Sequence, residues 1–526
     1  MTLMPSSSLT APGQRAATRP HRARAATKAA KKAATKVAVP ALLALLLAAC
    51  ASPGVQRAPA ALAAPADLGL ADAASPAVAV AWWQAWGDTG LDALVERTLA
   101  GQPTLRLAQA RLERAGAVIG AVRGEDGPQV ALNADATRQH YTKNGMVPAP
   151  IAGHTWDSAN LTLGLGWELD LWGRRQAALA AALGGERAAR AEVAAVRNAL
   201  ATQVVRGWVA LARLLAQREV AQRALAQREE MLALIRQRVA AGLDTQVEQR
   251  QGEAALPDAR VTLEALDEQI RLQRHQLAAL SGQAPQALDA LAPRLDALRA
   301  APVPEGLGAD LLGRRPDVVA ARWRVEAASQ EVVQARTRFY PDVRLSAFVG
   351  LSSLGLDRFL DFDSRTLGAG PALRLPIFEG GQLRAQLQGR AAERDAAIAQ
   401  YNQTVLDAVR EAADALASQA SLQRQRTGQA QAQAGVEAAY GLAQQRYRAG
   451  LGNYLVVLNA ESQLLAQRRL AVDLAARQLD TQAALMKALG GGWADPVAAT
   501  ASASATASTT ASTTASATAT PVAAAR

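Results

Sequence analysis

Residues 161–172 read LTLGLGWELDLW. Leu161, Leu163, Leu165, Trp167, Leu169 and Leu171 fall on one face of an extended chain. Thr162, Gly164, Gly166, Glu168 and Asp170 fall on the other. Strict alternation of this kind predicts a strand, and its length matches the roughly 9–11 residues that a tilted strand needs to cross a bilayer. Apolar residues toward lipid and small or acidic residues toward a lumen form the pattern of a membrane barrel strand. Glu168 and Asp170 are read as lumen-lining charges, not as a catalytic carboxylate pair.

The segment C-terminal to this strand decides between a soluble sheet and a membrane strand. After Gly173-Arg174-Arg175 the chain runs from Ala177 to Ala241 without proline and is rich in Ala, Leu, Gln, Arg and Glu, all good helix formers. At about 1.5 Å per residue such a helix approaches 100 Å. It ends at Ala241-Gly242-Leu243-Asp244, where Gly242 can take a positive φ and cap it. A return helix is predicted to about Leu280, with Pro257 as a candidate kink.

The pattern then repeats. Pro316 and Pro341 stand to Pro103 and Pro128 at a common offset of 213 residues, and Ala108, Arg111, Glu113, Ala115, Arg123 and Val130 recur as Ala321, Arg324, Glu326, Ala328, Arg336 and Val343. A second proline-free helix is predicted from Leu383 to Ala449. It ends at Ala449-Gly450-Leu451, an echo of Ala241-Gly242-Leu243. Gln237-Arg238 recurs as Gln445-Arg446, and Glu253 as Glu461. Each repeat therefore reads helix, strand, loop, strand, very long helix, glycine turn, return helix. The strands are expected at about 128–141, 158–172, 341–353 and 365–378. The repeats are expected over 82–284 and 285–489, the second opening on an equatorial segment. Four strands cannot close a barrel, and open edges are not tolerated in lipid, so membrane strands imply self-association.

The chain has 526 residues and a net charge of +11. Residues 1–49 carry eight of the basic residues (Arg15, Arg19, Arg22, Arg24, Lys28, Lys31, Lys32 and Lys36) and no acid. The basic balance is thus an end effect and gives no case for a nucleic-acid partner. Residues 1–49 read as a basic leader and signal peptide whose apolar core is Val37–Ala49. The single cysteine, Cys50, comes after Leu47-Ala48-Ala49 in a pattern that resembles a bacterial lipobox. That resemblance implies lipidation of Cys50 and, with Ala51 next, delivery to the outer membrane. Residues 50–81 read as a lipidated linker, and 490–526 as a disordered Ala/Ser/Thr tail. There is no phosphate loop and no metal-spaced His or Cys set, so no cofactor, no metal and no enzymatic activity are expected.

The segments WELDLWGRR (167–175), LLGRRPDVVAAR (311–322), FYPDVRLSAFVGLSSLG (339–355), LRLPIFEGGQLRAQL (373–387) and QRYRAGLGNYLVVLNAESQLLAQRR (445–469) together resemble the TolC-type outer-membrane efflux factors. The resemblance is to the lipoprotein branch that works with resistance-nodulation-division pumps. It implies a mainly α fold with membrane β: a homotrimer with a 12-stranded barrel, four strands per chain, continuous with a long helical barrel. It also implies a passive outer-membrane duct that carries small toxic compounds from an inner-membrane pump and a periplasmic adaptor. The outer-membrane duct of a type I protein secretion system is the alternative. The turns Gly242, Leu243, Asp244 and Gly450, Leu451, Gly452, Asn453 would face the adaptor. The periplasmic gate would lie just past them, at Glu248, Val456 and Asn459. Relatives carry acidic residues there, whereas Val456 and Asn459 are uncharged, so weak block by multivalent cations is expected.

Overall fold

The computed structural model describes residues 58–70, 78–299, 308 and 310–495. The leader, Cys50 and its lipobox, and residues 496–526 lie outside the described residues.

The chain is two copies of one plan. The first copy has α1 (Thr89–Gly101), α2 (Pro103–Gly124), β1 (Gln129–His140), β2 (Thr155–Leu169), α3 (Arg174–Ala240) and α4 (Gln246–Leu280). The second has α5 (Leu311–Arg314), α6 (Pro316–Thr337), β3 (Asp342–Leu354), β4 (Arg365–Arg374), α7 (Gln382–Arg448) and α8 (Tyr454–Ala488). The repeat is metrically close. α2 and α6 are each 22 residues with proline in the first turn, where its missing N–H has no partner to lose. α3 and α7 are each 67 residues, about 100 Å. α4 and α8 are each 35 residues, and α4 continues through Pro257.

The four strands form one antiparallel sheet in the order β1-β2-β3-β4. Its register lines up Leu132, Leu163, Val349 and Leu367 across one face. These residues are all exposed, as a lipid-facing girdle would be in a single chain. β1 and β4 are left as open edges.

β2 and β4 stop short of the expected 172 and 378. The Asp170 carboxylate accepts the backbone N–H groups of Arg175 and Gln176, at 3.0 and 3.1 Å, and turns the chain into α3. Asp170 therefore lies past the strand and caps the start of α3. Glu168 stays in the strand, paired with Arg174, which also reaches Asp342 at 3.3 Å. In the second copy Pro376, which cannot donate to a ladder, lies just past the end of β4.

The first stretches of α3 and α7 pack on α6, and their far stretches pack on the return helices. Val318, Ala321 and Val325 of α6 meet Ile398, Tyr401 and Val405 of α7. Close approach needs small residues: a Cβ on Gly207 of α3 would come within 2.7 Å of Leu277 of α4. Midway, a collar wraps the rods. Trp82, Trp83 and Trp86 pack edge-on, with ring centroids 5.8 and 6.1 Å apart, against α1 and the Val204–Leu211 stretch of α3. Asp88 both caps α1 and accepts the Trp208 indole N–H at 3.0 Å.

Two stretches expected to be loose at the chain ends are packed. Residues 58–70 lie along α6 and α7: Leu62, Ala63, Leu68 and Leu70 cover the Val318–Val405 cluster, and the Asn402 amide bonds both Ala61 O (3.0 Å) and Ala63 N–H (2.8 Å). Gly490, Gly491 and Gly492, all at positive φ, thread between Arg314, Asn198 and Ala79 so closely that no side chain would fit.

Candidate functional site at the turns of the long helices

Both long helices end in the same way. Gly242 (φ 72°) and Gly450 (φ 75°) take the left-handed conformation. Leu243 N–H then bonds Arg238 O (2.9 Å), and Leu451 N–H bonds Arg446 O (2.8 Å). This is the closure a helix end needs for its spare carbonyls. It leaves Leu243 and Leu451 well exposed at the tips of the two turns.

Beyond the glycines the two copies diverge. In the first turn the Asp244 carboxylate is held by the Arg238 guanidinium, at 2.9 and 3.3 Å, and by the Tyr447 hydroxyl at 2.5 Å. Arg238 also lies over the Tyr447 ring, 4.8 Å from its centroid. Tyr447 belongs to the other copy and is fully buried. This trio therefore joins the two turns across 203 residues of chain. Burial opposes ionisation of Asp244, but the bonds from Arg238 and Tyr447 and the Arg238 charge outweigh it and hold the carboxyl below its usual range. Burial, then the Asp244 bond and charge, push the Tyr447 phenol far above its ordinary value. At the matching position the second turn has Gly452, so the arrangement is single-sided.

The predicted gate positions also differ between copies. Glu248 folds back onto the start of α4. Its carboxylate accepts the Thr245 N–H (3.0 Å) and hydroxyl, while the Thr245 hydroxyl accepts the Val247 N–H at 3.1 Å. This is a complete capping box. The Thr245 hydroxyl, then the backbone N–H groups, keep the Glu248 carboxyl below its usual range. In the second copy Asn453 caps α8 alone, accepting the Val456 N–H at 3.2 Å, and the Val456 side chain projects into solvent. Asn459, one turn on, is exposed. Beneath both turns sits a plug of Ile235, Tyr440, Tyr447, Tyr454 and Val457, closed on one side by the buried Arg228–Glu461 pair at 3.0 Å.

The family model described as Outer membrane efflux protein matches residues 94–283 and 307–491. The chain belongs to the outer membrane efflux protein family. The fusaric acid resistance protein FusA of Burkholderia cepacia is 40% identical over 66% of this chain and 67% of its own length. The multidrug resistance outer membrane protein MdtP of Escherichia coli (strain K12) is 33% identical over 79% of this chain and 87% of its own. Among solved structures, the outer membrane protein VceC of Vibrio cholerae superposes with a TM-score of 0.75 at 36% identity, covering 79% of this chain and all of that one. This efflux protein therefore resides in the outer membrane and has the mainly α, membrane-β fold of the family's channels, which are not enzymes.

The turn and gate residues predicted from the sequence gather at one end of the rods. Arg238 and Tyr447, the two that hold Asp244, lie outside the predicted turn and gate residues. Tyr447 had a signal: it stands where the first copy has Val239, in a chain with only 4% aromatic residues. Among the described residues no group of three or more His, Cys, Asp or Glu could hold a metal ion.

Proposed function

We propose that this efflux protein is the outer-membrane exit duct of a tripartite efflux system. Three copies close a 12-stranded barrel, and their rods form a tube that meets a periplasmic adaptor and, through it, a resistance-nodulation-division pump in the inner membrane. The observation that carries the reading is the sheet with two open edges, from one end of which β2 and β4 lead into helices of about 100 Å. Edges left unpaired in lipid cost several kcal/mol per backbone group, and pairing β1 of one copy with β4 of the next removes them all. The cargo would be small toxic compounds, in keeping with the names of FusA and MdtP.

In this reading the tips at Gly242–Asp244 and Gly450–Asn453 receive the adaptor. The exposed Leu243, Val247, Leu451, Leu455 and Val456 supply apolar contact there. Glu248, Val456 and Asn459 border the gate, and the Asp244–Arg238–Tyr447 trio holds it shut. Cys50 carries the lipid anchor.

Deleting the gene is expected to sensitise cells to the pump's compounds as strongly as deleting the pump, and cross-linking in outer membranes is expected to stop at a trimer. Unchanged sensitivity, or only monomer, overturns the reading.

A further inference from the structure

The sheet has a second face, and one residue on it is out of character. Opposite the lipid girdle the rows read Gln129–Gly166–Ser346–Gly370, Ala131–Gly164–Phe348–Gly368 and Asn133–Thr162–Gly350–Thr366. Eleven of these twelve residues are small or polar, as expected of a water-filled lumen. Phe348 is the exception. It lies mid-strand, with glycine beside it on both neighbouring strands. Its ring covers Gly368 so closely that a Cβ there would come within 2.6 Å of Cε1. The ring is nonetheless 44% exposed, so it lies over Gly368 and remains accessible. The two large apolar residues elsewhere on this face, Trp156 and Leu354, sit at the outer mouth.

We propose that Phe348 is a lumenal contact for planar aromatic solutes in transit. The inference rests on the closed-barrel reading above and adds a substrate-selective element to it. Three copies place three rings at one level of an otherwise small and polar wall. The glycine cradle lets each ring lie along the wall instead of blocking the bore, and it leaves the ring accessible for offset stacking. A flat aromatic cation gains most, because the ring face carries partial negative charge. Hydrogen-bonding side chains line the levels above and below and serve aliphatic and aromatic solutes alike, so preference for the planar class falls to Phe348.

The test uses the full-length trimer in planar bilayers, with an acridine-type planar cation and a tetraalkylammonium ion of similar size added from the outer side. The readout is the ratio of the two blocking constants within one channel, which cancels changes in bore. Phe348→Leu keeps bulk over Gly368 and removes the π-face. The preference for the planar cation is expected to fall roughly two- to tenfold, and Phe348→Trp is expected to keep or raise it. An unchanged ratio in Phe348→Leu overturns the aromatic contact while leaving the channel intact. Absence of any wild-type conductance counts against the duct itself. A second measurement needs no current. Phe348→Cys should react, in intact cells, with a membrane-impermeant thiol reagent small enough to enter the barrel, and a thiol that stays unreactive overturns the lumenal placement.

Discussion

Removing one oxygen atom should loosen the tips of this channel. In Tyr447→Phe the ring stays in its buried site, and the only group lost is the hydroxyl that donates to Asp244 at 2.5 Å. Asp244 is itself little exposed, with 9% of its side chain accessible, so water does not fully replace the donor. A hydrogen bond to a charged group contributes about 1.5–3 kcal/mol, which corresponds to roughly ten- to hundredfold in an equilibrium constant. Because this bond joins the first turn to the second, its loss appears in the opening of the tips more than in unfolding of either rod. In single-channel recordings the open fraction of Tyr447→Phe is expected to rise by that factor per altered chain, within the limit of saturation. Asp244→Asn should give a comparable rise, and the double variant should add little to either single one, since both remove the same link. Equal open fractions in wild type and Tyr447→Phe, with both trimers intact, would refute the latch. The pH dependence has a definite sign. A carboxyl held below its usual range contributes stability above the unfolded value near 3.9 and loses it as pH falls through the folded one. The phenol, pushed up, contributes below about pH 10 and loses this as pH rises further. The latch should therefore stay shut from about pH 4 to pH 10.

Other sites allow equally direct checks. Asn459→Asp places a carboxylate at an exposed position of the proposed gate, and block by multivalent cations is expected to strengthen; equal block in both channels refutes the placement. Arg315 is buried and joins Asp317 (2.7 Å), Glu411 (3.1 Å) and Ala488 O (3.3 Å) at the collar. Its loss strips both carboxylates of their guanidinium, so Arg315→Leu should cost about 3 kcal/mol, lessened by the partial exposure of those partners, in thermal or denaturant unfolding. Gly350→Ala would drive a methyl group into the Leu161 carbonyl across the β2–β3 ladder, and heat-stable trimer on gels is expected to disappear. Asn402→Leu should free residues 58–70, seen as faster proteolysis there with the rods intact.

The elements of this protein were legible in its residues because each rests on a short-range rule. Alternation with period two marks β2, proline-free helix formers mark α3 and α7, and Gly242 and Gly450 mark where they end. Repetition of these signals revealed the twofold plan. Local roles were less legible where a side chain acts on backbone a few residues away: Asp170 looked like strand but caps α3, and Glu248 completes a capping box that its place past the turn did not announce. What the tertiary structure alone decided lies at long range. Tyr447 meets Asp244 only because two rods of equal length, held together by the helices packed between them, bring the two turns to one level. Asn402 grips residues 61 and 63, and Arg315 reaches Glu411 and Ala488, for the same reason. Phe348 becomes an anomaly only when register places it among glycines of neighbouring strands. Periodicity is a property of neighbours in the chain and survives in a string of letters, whereas these meetings depend on which faces pack, and that is set by the joint burial of surfaces from distant segments.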